Sequence, residues 1–144
     1  MPSRFNKRYF ARGFTLVEMI VVAVIIGILV TFAAPQFIKT KERTLDKDAQ
    51  ANLSLIQSGE RIYRMEQGVY YPALGTSTSV VADINTNLKV SLPVSSTSWS
   101  YTLTNTAGSE TAKGTRVGAG GRIWTINLAP GSSDVAVCTG TGCP

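Results

Sequence analysis

Arg12-Gly13-Phe14-Thr15-Leu16-Val17-Glu18 opens an apolar run that continues to Ala34 and contains a single charged side chain, that of Glu18. As a helix, the 21 residues 14–34 would be about 30 Å long, which is enough to cross the hydrocarbon core of a bilayer. A charge at the centre of such a span costs about 2.5–3.5 kcal/mol on insertion scales, so it is usually retained for a function. The pattern therefore predicts a membrane-spanning helix in which Glu18 is a functional residue.

The formal net charge of +5 comes mostly from the residues before this run. Four basic and no acidic side chains precede Gly13, so residues 14–144 carry ten basic against nine acidic side chains. A nucleic-acid-binding protein is expected to carry a basic face on its folded part, and we therefore predict no specific nucleic-acid partner. Beyond Gly68, we expect the few charged side chains to form a solvated surface: Lys89, Lys113, Arg116, Arg122, Asp83, Glu110 and Asp134.

The sequence contains no histidine and so lacks the commonest general base and the commonest metal ligand. Its carboxylates are not clustered, and the glycine-rich stretch 114–121 lacks the strand-to-helix context of a nucleotide site. We therefore predict a protein that is not an enzyme and that has no catalytic residue, cofactor or metal.

Two simpler explanations of the apolar run are a cleaved secretory signal and a plain membrane anchor. A signal has an apolar region of about 7–15 residues followed by small residues, whereas this run is longer and ends in Ala33-Ala34-Pro35. Charge does not settle the orientation of an anchor, because four basic residues precede the run and four follow it, namely Lys39, Lys41, Arg43 and Lys47.

A second, amphipathic helical segment is predicted beyond Pro35, which would kink or loosen the helix locally. Over Gln36–Gln67, apolar residues recur at helical spacing, and the charged residues Glu42, Asp46, Lys47, Asp48 and Arg61 fall largely off that stripe. Gly68 is a suitable C-cap, followed by Tyr71-Pro72 as a stop. The stripe predicts a core-facing surface made of Ile38, Leu45, Ala49, Leu53, Ile56 and Tyr63.

The remainder of the chain predicts a small antiparallel sheet. Residues 69–96 are expected to be a connector with one short helix over Val80–Leu88. Alternating patterns predict strands over residues 99–104, 122–128 and 134–138, with Gly114, Gly118, Gly120 and Gly121 in the turn between the first two. We expect an α+β fold in which the helical stripe covers one face of three or four strands.

Cys138 and Cys143 are the only cysteines and are separated by Thr-Gly-Thr-Gly. In an exported protein such a pair is expected to form a disulfide. A metal site would need further thiolate or imidazole ligands, which the sequence does not contain.

Together, the basic leader ending in Gly13, the apolar run with Glu18 and the terminal cysteine pair resemble a type IV prepilin, closely over about residues 8–40. The resemblance implies that residues 1–13 are a leader, that 14–67 form a long helix with 14–34 in the membrane or filament core, and that 68–144 form a globular head. It implies cleavage by a prepilin peptidase between Gly13 and Phe14, followed by N-methylation of Phe14.

The resemblance also implies how the chain is used. The helices of many copies would bundle as a filament core, and the Glu18 carboxylate would pair with the Phe14 amine of a neighbour and fix the axial stagger. Gly27 and Pro35 lie where pilins often carry helix-weakening residues. The implied partners are other pilin subunits, the peptidase and an inner-membrane assembly platform. The implied location is a single span of the inner membrane with a cytoplasmic N-terminus before assembly, and then a cell-surface filament or a periplasmic pseudopilus.

The pseudopilins of type II secretion systems share this N-terminus and build a periplasmic piston, and they are the main alternative, together with competence or minor pilins. Their major subunit usually has a calcium-binding acidic loop near the C-terminus, whereas Asp83, Glu110 and Asp134 are widely spaced here. The pair Cys138 and Cys143 resembles the C-terminal disulfide of many pilins. We therefore favour a pilus subunit.

Overall fold

A computed structural model describes residues 13–96, 98–118 and 121–143. The chain forms two compact units, of which the first ends at Lys41 and the second begins at Glu42. Of the predicted leader, only Gly13 is within the described residues. The described residues of the first unit are 13–15 and the start of helix α1, and the second unit contains the rest of α1 together with a sheet.

Helix α1 spans Leu16–Gln67, which is 52 residues, and confirms the predicted long helix. It continues through Pro35, although a proline has no N–H to donate to the carbonyl four residues earlier, that of Thr31. The helix ends at Gly68, which has a φ of +76° and donates its N–H to the carbonyl of Arg64 at 2.8 Å. Glycine accepts this left-handed conformation without a steric cost, so the predicted C-cap is confirmed.

The sheet has five antiparallel strands in the order β1-β2-β3-β4-β5, so each strand pairs with its neighbour in the sequence. The predicted short helix is confirmed as α2, Val81–Leu88, between β1 and β2. The α+β class is therefore confirmed, with more strands than the three or four predicted. The strands are β1 Thr76–Thr78, β2 Trp99–Thr106, β3 Ser109–Arg116, β4 Ile123–Asn127 and β5 Val137–Thr139.

The predicted connection between the first two strands was wrong, because β3 occupies most of it. Strands β2 and β3 form a hairpin whose turn contains Gly108 at a φ of +78°. The sequence of β3 is mostly polar, and only Ala112 and Gly114 on it are buried. A Cβ on Gly114 would lie 3.3 Å from the ring of Tyr101, so the strand contributes space for that ring and carries little apolar signal of its own.

The core lies between α1 and one face of the sheet. Ala49, Leu53 and Ile56 of the predicted stripe are fully buried, whereas Ile38 is exposed in the first unit. From the sheet, Trp99, Tyr101 and Trp124 are buried in the same core. The other buried apolar side chains are Ile84, Leu88, Leu92, Leu103, Ala112, Ile126, Leu128 and Ala136.

Glu60 is a carboxyl group inside this core that the sequence pattern did not reveal. It is completely buried, its Oε2 accepts the N–H of Tyr71 at 3.1 Å, and its Oε1 has no hydrogen-bond partner among the described residues. Burial raises the pKa of Glu60 to about 7, against a smaller lowering by the Tyr71 N–H. The carboxyl therefore holds its proton at pH values where an exposed glutamate has lost it.

We expect Glu60→Gln to change how the stability of the head depends on pH. The folded-state pKa of Glu60 is about 7 and the ordinary value is 4.5. Between these two pH values the unfolded chain therefore binds fewer protons than the folded chain, so the free energy of unfolding falls as pH rises. The contribution of Glu60 is complete below pH 4.5 and is lost by about pH 7. At about 1.4 kcal/mol per pKa unit, the loss is about 3 kcal/mol.

Urea unfolding of the full chain in detergent, followed by tryptophan emission between pH 4 and 8, measures this loss. Glu60→Gln should remove most of the decline, while Glu66→Gln, at an exposed carboxylate on the same helix, should leave it in place. An unchanged decline in Glu60→Gln would contradict the assignment.

Candidate functional site

The first unit presents an apolar surface that no other described part of the unit covers. Every described residue from Gly13 to Lys41 is exposed, and Phe14 has 68% of its surface accessible. By length and composition, α1 is the one helix among the described residues that could cross a membrane. An uncovered apolar surface of this extent marks a segment that contacts lipid or other protein.

Thr15 and Glu18 form a capping box at the start of α1. The N–H of Glu18 donates to Thr15 Oγ1 at 3.2 Å, and the N–H of Thr15 donates to Glu18 Oε2 at 3.5 Å. The carbonyl of Thr15 accepts the first intrahelical hydrogen bond, from Met19 at 3.3 Å. The spacing Thr-x-x-Glu is the signature of this motif, so the sequence contained a signal for Thr15 that our interpretation of Glu18 missed.

Glu18 and Phe14 lie on opposite sides of the cap residue Thr15. The structure places Glu18 in the first turn of the helix, where the helix dipole favours a negative charge. Phe14 lies directly before the cap residue, outside the helix. No salt bridge engages Glu18 among the described residues. A carboxylate held there can accept an ammonium group from outside the chain.

Gly27 and Pro35, the two predicted helix-weakening residues, both lie inside α1, and the helix is continuous between them. The hydroxyl of Thr31 donates to the carbonyl of Gly27 at 2.9 Å. Glycine and proline lower helix stability in an interior position by about 1 and 3 kcal/mol relative to alanine. The stretch 27–35 therefore has low intrinsic helix stability, although it is helical in this structure.

In the second unit, four charged side chains join α1 to the sheet. Arg122 Nη1 lies 2.8 Å from Asp46 Oδ1 and 3.4 Å from Glu42 Oε2, and Arg116 Nη2 lies 3.3 Å from Glu42 Oε1. The side chain of Arg122 is 15% exposed and that of Asp46 is 9% exposed. The expectation that Arg116 and Arg122 belong to a solvated surface was therefore wrong, and Asp46 faces the sheet and not solvent.

Both tryptophans contact this cluster. Trp124 donates its indole N–H to Asp46 Oδ1 at 3.2 Å, and Trp99 donates to the carbonyl of Leu45 at 2.9 Å. The guanidinium of Arg116 lies over the Trp99 ring, 5.8 Å from its centroid. The cluster therefore fixes the position of the sheet along the second-unit part of α1, through contacts that depend on register.

The cysteine pair forms the predicted disulfide, Cys138–Cys143. Cys138 lies on β5, opposite Trp124 of β4. The segment that the bond closes is short, with a sequence separation of 5, and it includes Gly140 and Gly142, both with positive φ. The bond therefore closes a tight loop at the edge of the sheet.

Comparison with known proteins finds a family match in the N-terminal part of the chain. Residues 9–34 match the family model described as the prokaryotic N-terminal methylation motif. The type IV major pilin protein PilA of Myxococcus xanthus is 41% identical over 68 residues, which cover 47% of this chain and 30% of that protein. No solved structure matches the chain.

Two further relatives are named for secretion and for competence and not for a pilus. The type II secretion system core protein G of Vibrio cholerae is 34% identical over 58 residues, covering 40% of each chain. The competence protein ComGC of Streptococcus pneumoniae is 36% identical over 63 residues, covering 44% of this chain and 58% of that protein. The matches thus span less than two thirds of each of these three relatives.

These matches confirm the resemblance drawn from the first residues of the sequence. The chain carries a prokaryotic N-terminal methylation motif, and its relatives are type IV pilins, type II secretion core proteins and competence proteins.

Proposed function

We propose that this chain is a structural subunit of a type IV pilus-like filament, cleaved after Gly13, N-methylated at Phe14 and polymerised through the first part of α1. The observation that carries the proposal is the uncovered apolar segment that begins at Phe14 and contains Glu18 as its only charge up to Ala34. The methylation motif over residues 9–34 supports the processing step. No enzymatic activity forms part of the proposal.

Before assembly, the same segment is proposed to span the inner membrane once, with the N-terminus in the cytoplasm. The proposed partners at this stage are the prepilin peptidase, which removes the leader, and an inner-membrane assembly platform. Cleavage leaves the apolar segment in place, because it lies after the cut. The exposed face of α1 then exchanges lipid contacts for contacts with the helices of other subunits, so no apolar surface is left in water.

Within the filament, we propose that Glu18 accepts the amine of Phe14 from a neighbouring subunit. An ionised carboxylate left unpaired in an apolar bundle is costly. A buried pair adds little net stability, since desolvation offsets the attraction. It nevertheless disfavours every other axial offset between neighbouring subunits, because each of those would leave the carboxylate unpaired. The carboxylate therefore sets the register between subunits, and the apolar side chains supply the contact area.

The stretch between Gly27 and Pro35 is proposed to lose helical structure in the filament. Its low intrinsic helix stability supports this, since a small gain in packing between subunits outweighs the loss of a few weakened hydrogen bonds. A filament map that resolves α1 tests the proposal, and an unbroken helix from Gly27 to Pro35 in that map would contradict it.

The named relatives include a pilus subunit, a secretion protein and a competence protein, and we favour the pilus. The terminal disulfide supports this choice, as does the wide spacing of Asp83, Glu110 and Asp134, which does not fit a calcium-binding acidic loop. Filaments sheared from cells should contain the processed chain. Cells from which the chain is deleted should lack these filaments and should still secrete protein. Loss of secretion with no surface filament would instead identify a secretion pseudopilus.

A further inference from the structure

The disulfide-closed segment Cys138–Cys143, here called the tail loop, lies against Arg122. A Cβ on Gly142 would be 3.3 Å from Arg122 Nη2 and 3.6 Å from Arg122 Nε, so the loop backbone lies beside the guanidinium with no room to spare for a side chain. A Cβ on Gly140 would collide with the carbonyl oxygen of Gly121. At residue 140 the loop therefore approaches Gly121 more closely than a residue with a side chain could.

The opposite side of Arg122 faces α1. Its Nη1 binds Asp46 at 2.8 Å and Glu42 at 3.4 Å, and Asp46 also accepts the indole N–H of Trp124. The guanidinium thus lies between the tail loop and the helix. Its Nε is buried and has no hydrogen-bond partner among the described residues, so the side chain is shielded from water that would otherwise bind that N–H.

Shielding determines the strength of such a pair. Exposed ion pairs contribute little to stability, because water and salt screen them, whereas hydrogen bonds between charged groups strengthen in a low-dielectric environment. Removing the loop from Arg122 would admit water to the pair with Asp46 and weaken the link between the sheet and α1.

We propose that the tail loop covers the Arg122–Asp46 ion pair, so that the oxidation state of Cys138 and Cys143 controls how firmly the sheet is held to the second-unit part of α1. Each cysteine is a positioning residue in this scheme. The disulfide acts on the ion pair through the loop backbone, in addition to the general effect of closing a loop in the unfolded chain.

Reduction of the folded protein by a water-soluble phosphine provides the test. The S–S bond breaks and two thiols form, while the phosphine is oxidised to the phosphine oxide with an oxygen atom from water. Urea unfolding of the full chain in detergent is then compared between the oxidised and reduced forms of the wild type, Arg122→Gln and Lys89→Gln. Lys89 pairs with Glu66 on the surface and provides the control at a distant ion pair.

The expected result is a larger effect of reduction in the wild type than in Arg122→Gln. Reduction should raise the equilibrium constant for unfolding by a larger factor in the wild type than in Arg122→Gln. The first factor should exceed the second about 2-fold to about 100-fold, the range for residues in contact. Lys89→Gln should respond as the wild type does. Equal effects in the wild type and Arg122→Gln would overturn the proposal, since loop closure alone acts on both alike.

A second measurement applies if Arg122→Gln does not fold. The chain has two tryptophans, whose indole N–H groups bind Asp46 and the carbonyl of Leu45, so NMR can follow hydrogen exchange at each. In the wild type, reduction should speed exchange at Trp124 by at least about tenfold more than at Trp99, consistent with a coupling of about 1.4 kcal/mol. Equal acceleration at both indoles would overturn the proposal.

Discussion

Glu18→Ala and Glu18→Gln subunits are expected to be cleaved and inserted into the membrane as the wild type is, and to be absent from filaments. Removing the carboxylate makes the segment more apolar, so insertion is not impaired. In the bundle, the Phe14 amine of the neighbouring subunit would be left without its partner, and one unpaired buried charge costs several kcal/mol. Immunodetection of the variant in membrane and sheared-filament fractions measures both outcomes.

The two substitutions separate the charge of Glu18 from its role in the capping box. Glutamine at the third helical position also completes such a box, so Glu18→Gln retains the cap that Thr15 forms and loses only the charge. Glu66→Gln, at an exposed carboxylate of the head, is the control and should assemble normally. If Glu18→Gln enters filaments at the wild-type level, the carboxylate does not set the register.

Asp46→Ala is expected to lower the free energy of unfolding of the head by about 3–5 kcal/mol, the usual cost of removing one partner from a buried ion pair. The substitution leaves Arg122 with only the longer contact to Glu42 at 3.4 Å. It also removes the acceptor for the Trp124 indole N–H. Urea unfolding followed by the emission of the two tryptophans reports this change directly, because both contact the cluster.

Lys89→Ala provides the matched control for Asp46→Ala. Lys89 pairs with Glu66 at 2.8 Å, but the two side chains are 66% and 44% exposed, so its removal should cost no more than about 1 kcal/mol. Similar losses in Asp46→Ala and Lys89→Ala would show that the cluster does not join the helix to the sheet.

The sequence was most informative where the pattern of side chains follows from local rules. Residues 13–18 and the apolar run need no tertiary contact to be recognised, and the disulfide follows from the pair being the only cysteines. Helix α1 was predictable because its period continues past Pro35 and stops at Gly68, and the burial of Ala49, Leu53 and Ile56 followed from that period.

The features that the sequence did not reveal depend on contacts between residues far apart in the chain. Asp46 and Glu60 are polar residues on a helix, and nothing near them in the sequence indicates that Arg122 and the N–H of Tyr71 will meet them. Strand β3 was missed because it is polar and accommodates a neighbouring ring with a glycine. Strand β1 was missed because it is a three-residue edge strand whose pairing with β2 specifies it.

The proposed function depends above all on cleavage of the chain after Gly13, because that cut creates the amine that Glu18 is proposed to bind. Mass spectrometry of the N-terminal peptide, from protein isolated from membranes and from filaments, tests this most directly. We expect a peptide that begins at Phe14 and carries one methyl group on its amine. A chain that retains Met1, or one that begins at Ala34 or later, would contradict it.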